Sequence, residues 1–213
     1  MGGRAFLEWY QDPDPDEGAR SHDLQHADYT GYVVGLAKEI GLLAELGWAA
    51  RTCPNVRGDD SFTHEWYVLL GLDDRVIFKT EEPVINPYVA YYMDMDDLPG
   101  SRIETGISHW FRLSRFGFNK TPILRNVTLT PSFWMTVDHR YITEATRLSS
   151  LGYGLAATYD VTQGLKLPPK MGQVDLSLFI EYQDSLIDGG LRSCVDEVSE
   201  DRLYGGVTLG FSW

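Results

Sequence analysis

The chain has 213 residues and a formal charge of −13, from 31 acidic against 18 basic residues. That balance excludes the net cationic face that phosphate binding demands, so no nucleic-acid partner is expected. No uncharged run approaches the ~20 apolar residues of a spanning helix, and no long apolar stretch follows Met1-Gly2-Gly3-Arg4, which excludes membrane helices and a retained signal peptide but not a spanning β-barrel.

With 21 Gly, 12 Tyr, nine Phe and six Trp, the composition favours strands and turns over helices. An alternation of period two marks ten segments, near residues 5–10, 29–37, 42–51, 62–72, 85–93, 101–114, 124–137, 150–161, 172–183 and 202–213. The last is the clearest, with Leu203, Gly205, Val207, Leu209, Phe211 and Trp213 on one face and Tyr204, Gly206, Thr208, Gly210 and Ser212 on the other. Residues 35–46 also fit an amphipathic helix through Leu36, Ile40, Leu43 and Ala44. Gly41 and Gly47 are poor helix formers, and Lys38-Glu39-Ile40-Gly41 suits a hairpin turn, so strand–turn–strand is the expectation. An even number of strands lets the first and last pair antiparallel and removes both sheet edges.

Parity then decides which face is wet. Glu8, Glu45, Glu65, Glu104, Asp160, Asp175 and Glu181 all oppose the apolar stripe. The expected inner face carries Glu45, Arg51, Glu65, Tyr67, Tyr92, Arg102, Glu104, Trp110, Arg112, Trp134, Asp175, Glu181 and Arg202 as lumen-lining residues. The outer face carries Trp48, Trp66, Tyr91, Phe111, Phe133, Tyr159 and Trp213 as interface aromatics. A soluble barrel shows the reverse arrangement. The reading is all-β: a transmembrane up-and-down antiparallel barrel of about ten strands, forming one domain over 1–213. The alternative is a soluble sandwich whose second face is covered. Ten strands leave little more room than side chains can fill, so both a narrow channel and a plugged interior stay open.

The segment Asn86-Pro87 through Tyr91-Tyr92-Met93-Asp94, followed by Gly100, Glu104 and Gly106-Ile107-Ser108-His109, resembles a hairpin of outer-membrane porins of the TorF type. The ending Tyr204-Gly205-Gly206-Val207 to Phe211-Ser212-Trp213 resembles their closing strand and the terminal aromatic read by the barrel-insertion machinery. The resemblance spans residues 29–213. It implies a barrel in the outer membrane of a Gram-negative-type bacterium, with the lipid bilayer and the insertion machinery as partners, no cofactor and no transferable catalytic residue. Two departures are the missing signal peptide and an N-terminus without strands those relatives possess, so residues 1–28 are the least defined part and truncation there is one reading. With the C-terminus periplasmic, as the resemblance implies, the outer loops are 11–28, 52–61, 94–100, 138–149 and 184–201. They gather 19 acids against five bases, so the excess negative charge sits at one rim.

Asp12, Asp14, Asp16, Glu17, Gly18 and Asp23 are spaced like the start of a calcium loop, but Pro13 and Pro15 stiffen the run and no bidentate Glu closes it. Asp94, Asp96 and Asp97 read as a turn. The loops are expected to bind divalent cations weakly at most, with no metal site. Of the histidines His22, His26, His64, His109 and His139, the last follows Asp138 at a strand's outer end, as in rim hydrolases, yet neighbours on a strand point to opposite faces and cannot pair there. No nucleophile elbow, phosphate loop or zinc spacing occurs. Cys53 and Cys194 both fall in outer loops and either bridge or stay as thiols. The expected function is passive passage of small solutes, without enzymatic activity. A rim hydrolase and a structural or adhesive barrel with acidic loops are the alternatives.

Overall fold

The computed structural model describes residues 2–11, 25–37, 40–52, 62–95, 100–139, 146–186 and 202–212. Asp12, Asp14, Asp16, Glu17, Gly18, Asp23, Cys53, Asp96, Asp97, Cys194 and Trp213 lie outside them. In chain order the strands are β1 (Gly2–Gln11), β2 (Gln25–Ala37), β3 (Leu42–Thr52), β4 (Phe62–Leu72), β5 (Tyr88–Asp94), β6 (Ser101–Ser108), β7 (Phe111–Arg112), β8 (Val127–His139), β9 (Thr146–Asp160), β10 (Gln173–Ser185) and β11 (Arg202–Ser212). Two single helical turns, α1 (Arg75–Phe78) and α2 (Val161–Gly164), lie between strands at one end.

The strands pair antiparallel in chain order, and two further pairings close them into a ring. β1 joins β11 from Arg4↔Ser212 to Gln11↔Gly205. β6 joins β8 from Arg102↔Asp138 to Ser108↔Ser132, and β7 continues along the same partner at Phe111↔Leu129. β6 and β7 therefore make one stave, broken at His109 and Trp110, and the ring has ten staves. The expected strand 101–114 stops at Arg112, because residues 113–126 coil into three 3-10 turns before β8 starts. The expected strand 85–93 starts at Tyr88, after Asn86 adopts a left-handed φ of 36°. Between β2 and β3 the chain turns instead of winding into a helix. Gly41 takes φ 73°, and a Cβ there would collide with the Asp73 carbonyl.

Residues directly opposite in register share a face, so the pairings fix which side chains point inward. Glu45, Glu65, Thr136, Asp138 and Ser150 are buried, whereas Leu46, Trp66, Val68, Leu70, Val89 and Tyr91 on the opposite parity are exposed. The barrel is inside-out relative to a water-soluble protein. Among the described residues the barrel wall buries only Tyr67 and Ala90 of its apolar side chains, with Pro83 buried at the turn end, while Glu65 and Asp138 are both 0% exposed.

The turn end is organised by a carboxylate. Asp74, almost fully buried, accepts hydrogen bonds from the backbone N–H groups of Val84 (2.9 Å), Ile85 (2.6 Å) and Asn86 (3.0 Å). This folds residues 73–87 back on the barrel, where Leu72 N–H donates to the Pro87 carbonyl at 2.9 Å. Burial raises the Asp74 pKa, but the three N–H donors outweigh it and hold the carboxyl below its ordinary value. Asp73 is lowered too, by the Arg75 guanidinium that donates to both its oxygens. A carboxyl depressed in the fold stabilises it fully above the unfolded-state pKa, and loses that contribution as the pH falls through the folded value. We expect Asp74→Ala to cost roughly 3 kcal/mol, since three buried donors lose a charged acceptor. Urea midpoints of the detergent-folded protein measure the cost. Below about pH 4 the parent should lose stability more steeply than Asp74→Asn, which has no proton to take up there.

Candidate functional site in the barrel interior

The inner wall divides into two sectors of different chemistry. Across β3 to β8 the side chains are large and joined. One row of the register runs Gly47↔Tyr67↔Tyr92↔Arg102↔Asp138↔Arg147. The Tyr67 hydroxyl donates to Glu45 Oε1 at 2.7 Å, and the Tyr67 and Tyr92 rings are 5.8 Å apart. The Arg102 guanidinium lies 4.2 Å over the Tyr92 ring centre and places Nη2 3.3 Å from Glu65 Oε2. One row further towards the turn end, the Tyr88 hydroxyl donates to Glu104 Oε1 at 2.8 Å. Stacking on Tyr92 and pairing with Glu65 fix the Arg102 plane, which a lysine could not reproduce.

Three inner aromatics lie against glycines directly across the ladder: Tyr67 on Gly47, Tyr88 on Gly106 and Trp134 on Gly152. A Cβ on any of the three glycines would overlap the ring. With no side chain opposite, each ring lies along the wall rather than projecting to the axis, and also covers backbone that a glycine leaves bare.

The second sector, β9 to β11, is mostly small and polar, apart from Phe179, Glu181 and Gln183 on β10 and the inward register positions of Tyr204 and Arg202 on β11. Its inward positions include Gly152, Gly154, Ala156 and Thr158 on β9, Ser177 on β10, and Gly206, Thr208 and Gly210 on β11. Thr158 and Ser177 share a 2.7 Å hydrogen bond, and Glu181 and Asp175 stand half-buried on the same wall. The Asp175 carboxylate accepts from Gln173 Nε2 at 2.9 and 3.0 Å. The ten staves thus carry most of the bulky inward groups on β3 to β8 and most of the small ones on β9 to β11.

Of the thirteen expected inner residues, Glu45, Glu65, Tyr67, Tyr92, Arg102, Glu104, Trp134, Asp175 and Glu181 occupy inward register positions with described side chains. Arg51 and Arg202 hold such positions on β3 and β11, their side chains falling outside the described residues. Trp110 sits in the break between β6 and β7. Arg112 is at the turn end, half exposed and 3.3 Å from Glu82, away from the joined cluster. Trp66, Tyr91 and Phe111 are exposed on the outer face, and Trp48, Phe133 and Tyr159 are half-exposed on the same parity. Sequence reasoning assigned Asp138 to a loop. The structure makes it a buried inner residue opposite Arg102, and its parity with Thr136 and Trp134 was the signal. A bulge beyond Thr136 adds Ser149 as a buried extra residue whose hydroxyl donates to the Thr136 carbonyl.

Asp138 and His139 diverge as strand alternation requires. His139 is exposed, with Nδ1 2.5 Å from Thr146 Oγ1, and His109 Nδ1 lies 2.7 Å from the Val84 carbonyl. Among the described residues no group of three or more His, Cys, Asp or Glu is placed to hold a metal, and no helix is long and apolar enough to cross a membrane.

The fold is thus an all-β, antiparallel, closed barrel with its charges inside. Among solved structures it is similar to the NanC porin, with a TM-score of 0.48 and 9% identity over 99% of this chain and 98% of that one. It is also similar to OccK5 (OpdH) of Pseudomonas aeruginosa, with a TM-score of 0.41 and 7% identity over 89% of this chain; there it spans half of the longer protein. No protein-family model matches the sequence, and neither does a curated protein.

Two outcomes follow from the interior. Arg102→Met should cost roughly 3–5 kcal/mol by taking the guanidinium away from the fully buried Glu65 carboxylate, and adding Glu65→Gln should recover most of it. Gly152→Ala should cost roughly 1–3 kcal/mol through collision with Trp134. In a double-mutant cycle with Trp134→Ala the two costs should fall well short of additive, because the clash needs both groups.

Proposed function

We propose that the chain is an outer-membrane β-barrel, porin-like and of the TorF type, that passes small polar solutes passively in a Gram-negative-type bacterium. The observation that carries this reading is the inverted distribution of polarity. Glu65 and Asp138 are fully withdrawn inside the wall, while Leu46, Leu178 and Ile180 are half exposed outside it. In water that arrangement wastes every apolar contact; in hydrocarbon it is the stable one, because lipid offers no hydrogen bond to a charge and the closed ladder satisfies the backbone. The proposal assigns no catalytic residue.

The passage follows the small-residue sector, and its charge selects the solute. Inward positions with described side chains carry Glu45, Glu65, Glu104, Asp138 and Glu181, with Asp160 and Asp175 towards the turn end, against Arg102, Arg147 and, at the turn end, Arg112. The acids of the outer loops add to the same field. Arg112, held by Glu82 at the turn end, does not offset them at mid-height.

A heat-modifiability gel of detergent-refolded protein should show a faster-migrating closed species, and purified protein should conduct in a planar bilayer. Reversal potentials across a potassium chloride gradient should favour cations, and the preference should shrink as salt rises past about 0.1 M, where the screening length is ~10 Å. Anion preference at low salt would reverse the electrostatic assignment. Absence of conductance in a properly refolded barrel would show the interior to be plugged and leave the structural or adhesive reading.

A further inference from the structure

Residues 113–126 and 161–172 join neighbouring staves at the turn end, and they are long for that task. Two to five residues suffice for a hairpin. Instead the first segment forms three successive 3-10 turns, and the second forms α2 and a 3-10 turn at Pro169–Met171. They are built, not slack. Arg125 N–H donates to the Thr121 carbonyl at 3.0 Å, Val174 N–H to Thr162 Oγ1 at 2.7 Å, and the Asp160 carboxylate caps α2 at Gln163 N–H. α2 also lies against the 3-10 turn Leu124–Asn126, so the two segments share one surface.

That surface has an unusual composition. Neither segment contains an acid. Lys120, Arg125, Lys166 and Lys170 are exposed and make no ion pair among the described residues, whereas Arg115 is taken up by Glu81 and Glu82. Between the cations stand apolar side chains more exposed than most of the outer belt: Phe116 at 62%, Ile123 at 66%, Leu165 at 66% and Met171 at 61%. The belt itself runs straight into this ledge, through Phe111↔Leu129 and Val127↔Tyr159↔Leu176 in register.

We propose that residues 113–126 and 161–172 form a docking ledge for anionic phospholipid headgroups of the adjacent leaflet. The inference rests on the membrane reading above and extends it to a lipid preference. Apolar side chains at the margin of a hydrocarbon belt enter the headgroup boundary, and interleaved Lys and Arg reach phosphate oxygens from there. Four cations that form no ion pair among the described residues complement a net-negative headgroup, and would gain little from a zwitterionic one. The ledge faces away from the acidic loops, so the two ends of the barrel meet opposite electrostatic demands.

The test uses the folded protein in phosphatidylcholine bilayers containing a trace of spin-labelled phosphatidylglycerol or spin-labelled phosphatidylcholine, reading the motionally restricted fraction of each label. Phosphatidylglycerol should be held over phosphatidylcholine by about fivefold at ~0.1 M salt, the factor expected for one Lys or Arg near an anionic headgroup. The preference should fall towards unity at high salt and in K120Q/R125Q/K166Q/K170Q, provided its heat-modifiability matches the parent. The milder K166Q/K170Q should lose part of the preference and serves where the quadruple variant does not fold. Equal restriction of the two labels in the parent, or a preference unchanged in both variants, overturns the ledge while leaving the barrel in place. No restricted lipid with either label overturns the membrane reading and the ledge with it.

Discussion

The pairing of β6 with β8 is the constraint on which the rest of this structure depends. Without it, β6 and β8 would each present a row of unsatisfied N–H and C=O groups, and no interior would exist to hold Glu45, Glu65 and Asp138. Closure converts one face of a single sheet into an enclosed space. The buried carboxylates then become tolerable, because Tyr67 and Arg102 reach two of them across the ladder, and the opposite face is left free to be largely apolar. The seam is also where the stave bends. β6 and β7 share β8 as partner but are separated by His109 and Trp110, with His109 N–H donating to the Pro131 carbonyl across the break.

Within the ring, glycine decides where bulk goes. The register sets Gly47, Gly106 and Gly152 opposite Tyr67, Tyr88 and Trp134, so the rings occupy volume along the wall that other residue types would claim. Large groups linked by hydrogen bonds then line one side, whereas Gly, Ala, Ser and Thr make up most of the inward positions on β9 to β11. A uniform ring of aromatics in ten staves would fill the bore.

The two ends differ as strongly as the two faces. At the turn end, a single buried carboxylate, Asp74, gathers three backbone donors and replaces what would otherwise be an unsupported loop of residues 73–87. The neighbouring segments carry cations and apolar groups without acids, while the acids in excess fall in the sequence that links the other strand ends. Charge and hydropathy thus vary along the barrel axis as well as across its wall.

Much of this was legible in the chain before folding. Strand parity is a period of two, visible locally, so the inward set from Glu45 to Glu181 and the outward set from Trp48 to Tyr159 could be drawn residue by residue. Ten alternating segments likewise implied closure. What alternation cannot supply is register, because sliding one strand by two residues preserves every face and changes every partner. For that reason the Tyr67–Glu45 bond, the stacking of Arg102 between Tyr92 and Glu65, and the aromatic–glycine oppositions emerged only in the fold. Arg112 shows the same limit from the other side: its parity was right, but its height along the axis put it beside Glu82 rather than in the cluster. Asp74 and the coiled segments 113–126 and 161–172 have no periodic signature at all, since their structure depends on local turns and on side chains reaching backbone groups within the same connection. The sequence by itself determined faces and strand number through local alternation; the tertiary structure decided partners, heights and the shape of the interior, because those depend on how each strand is seated against the next.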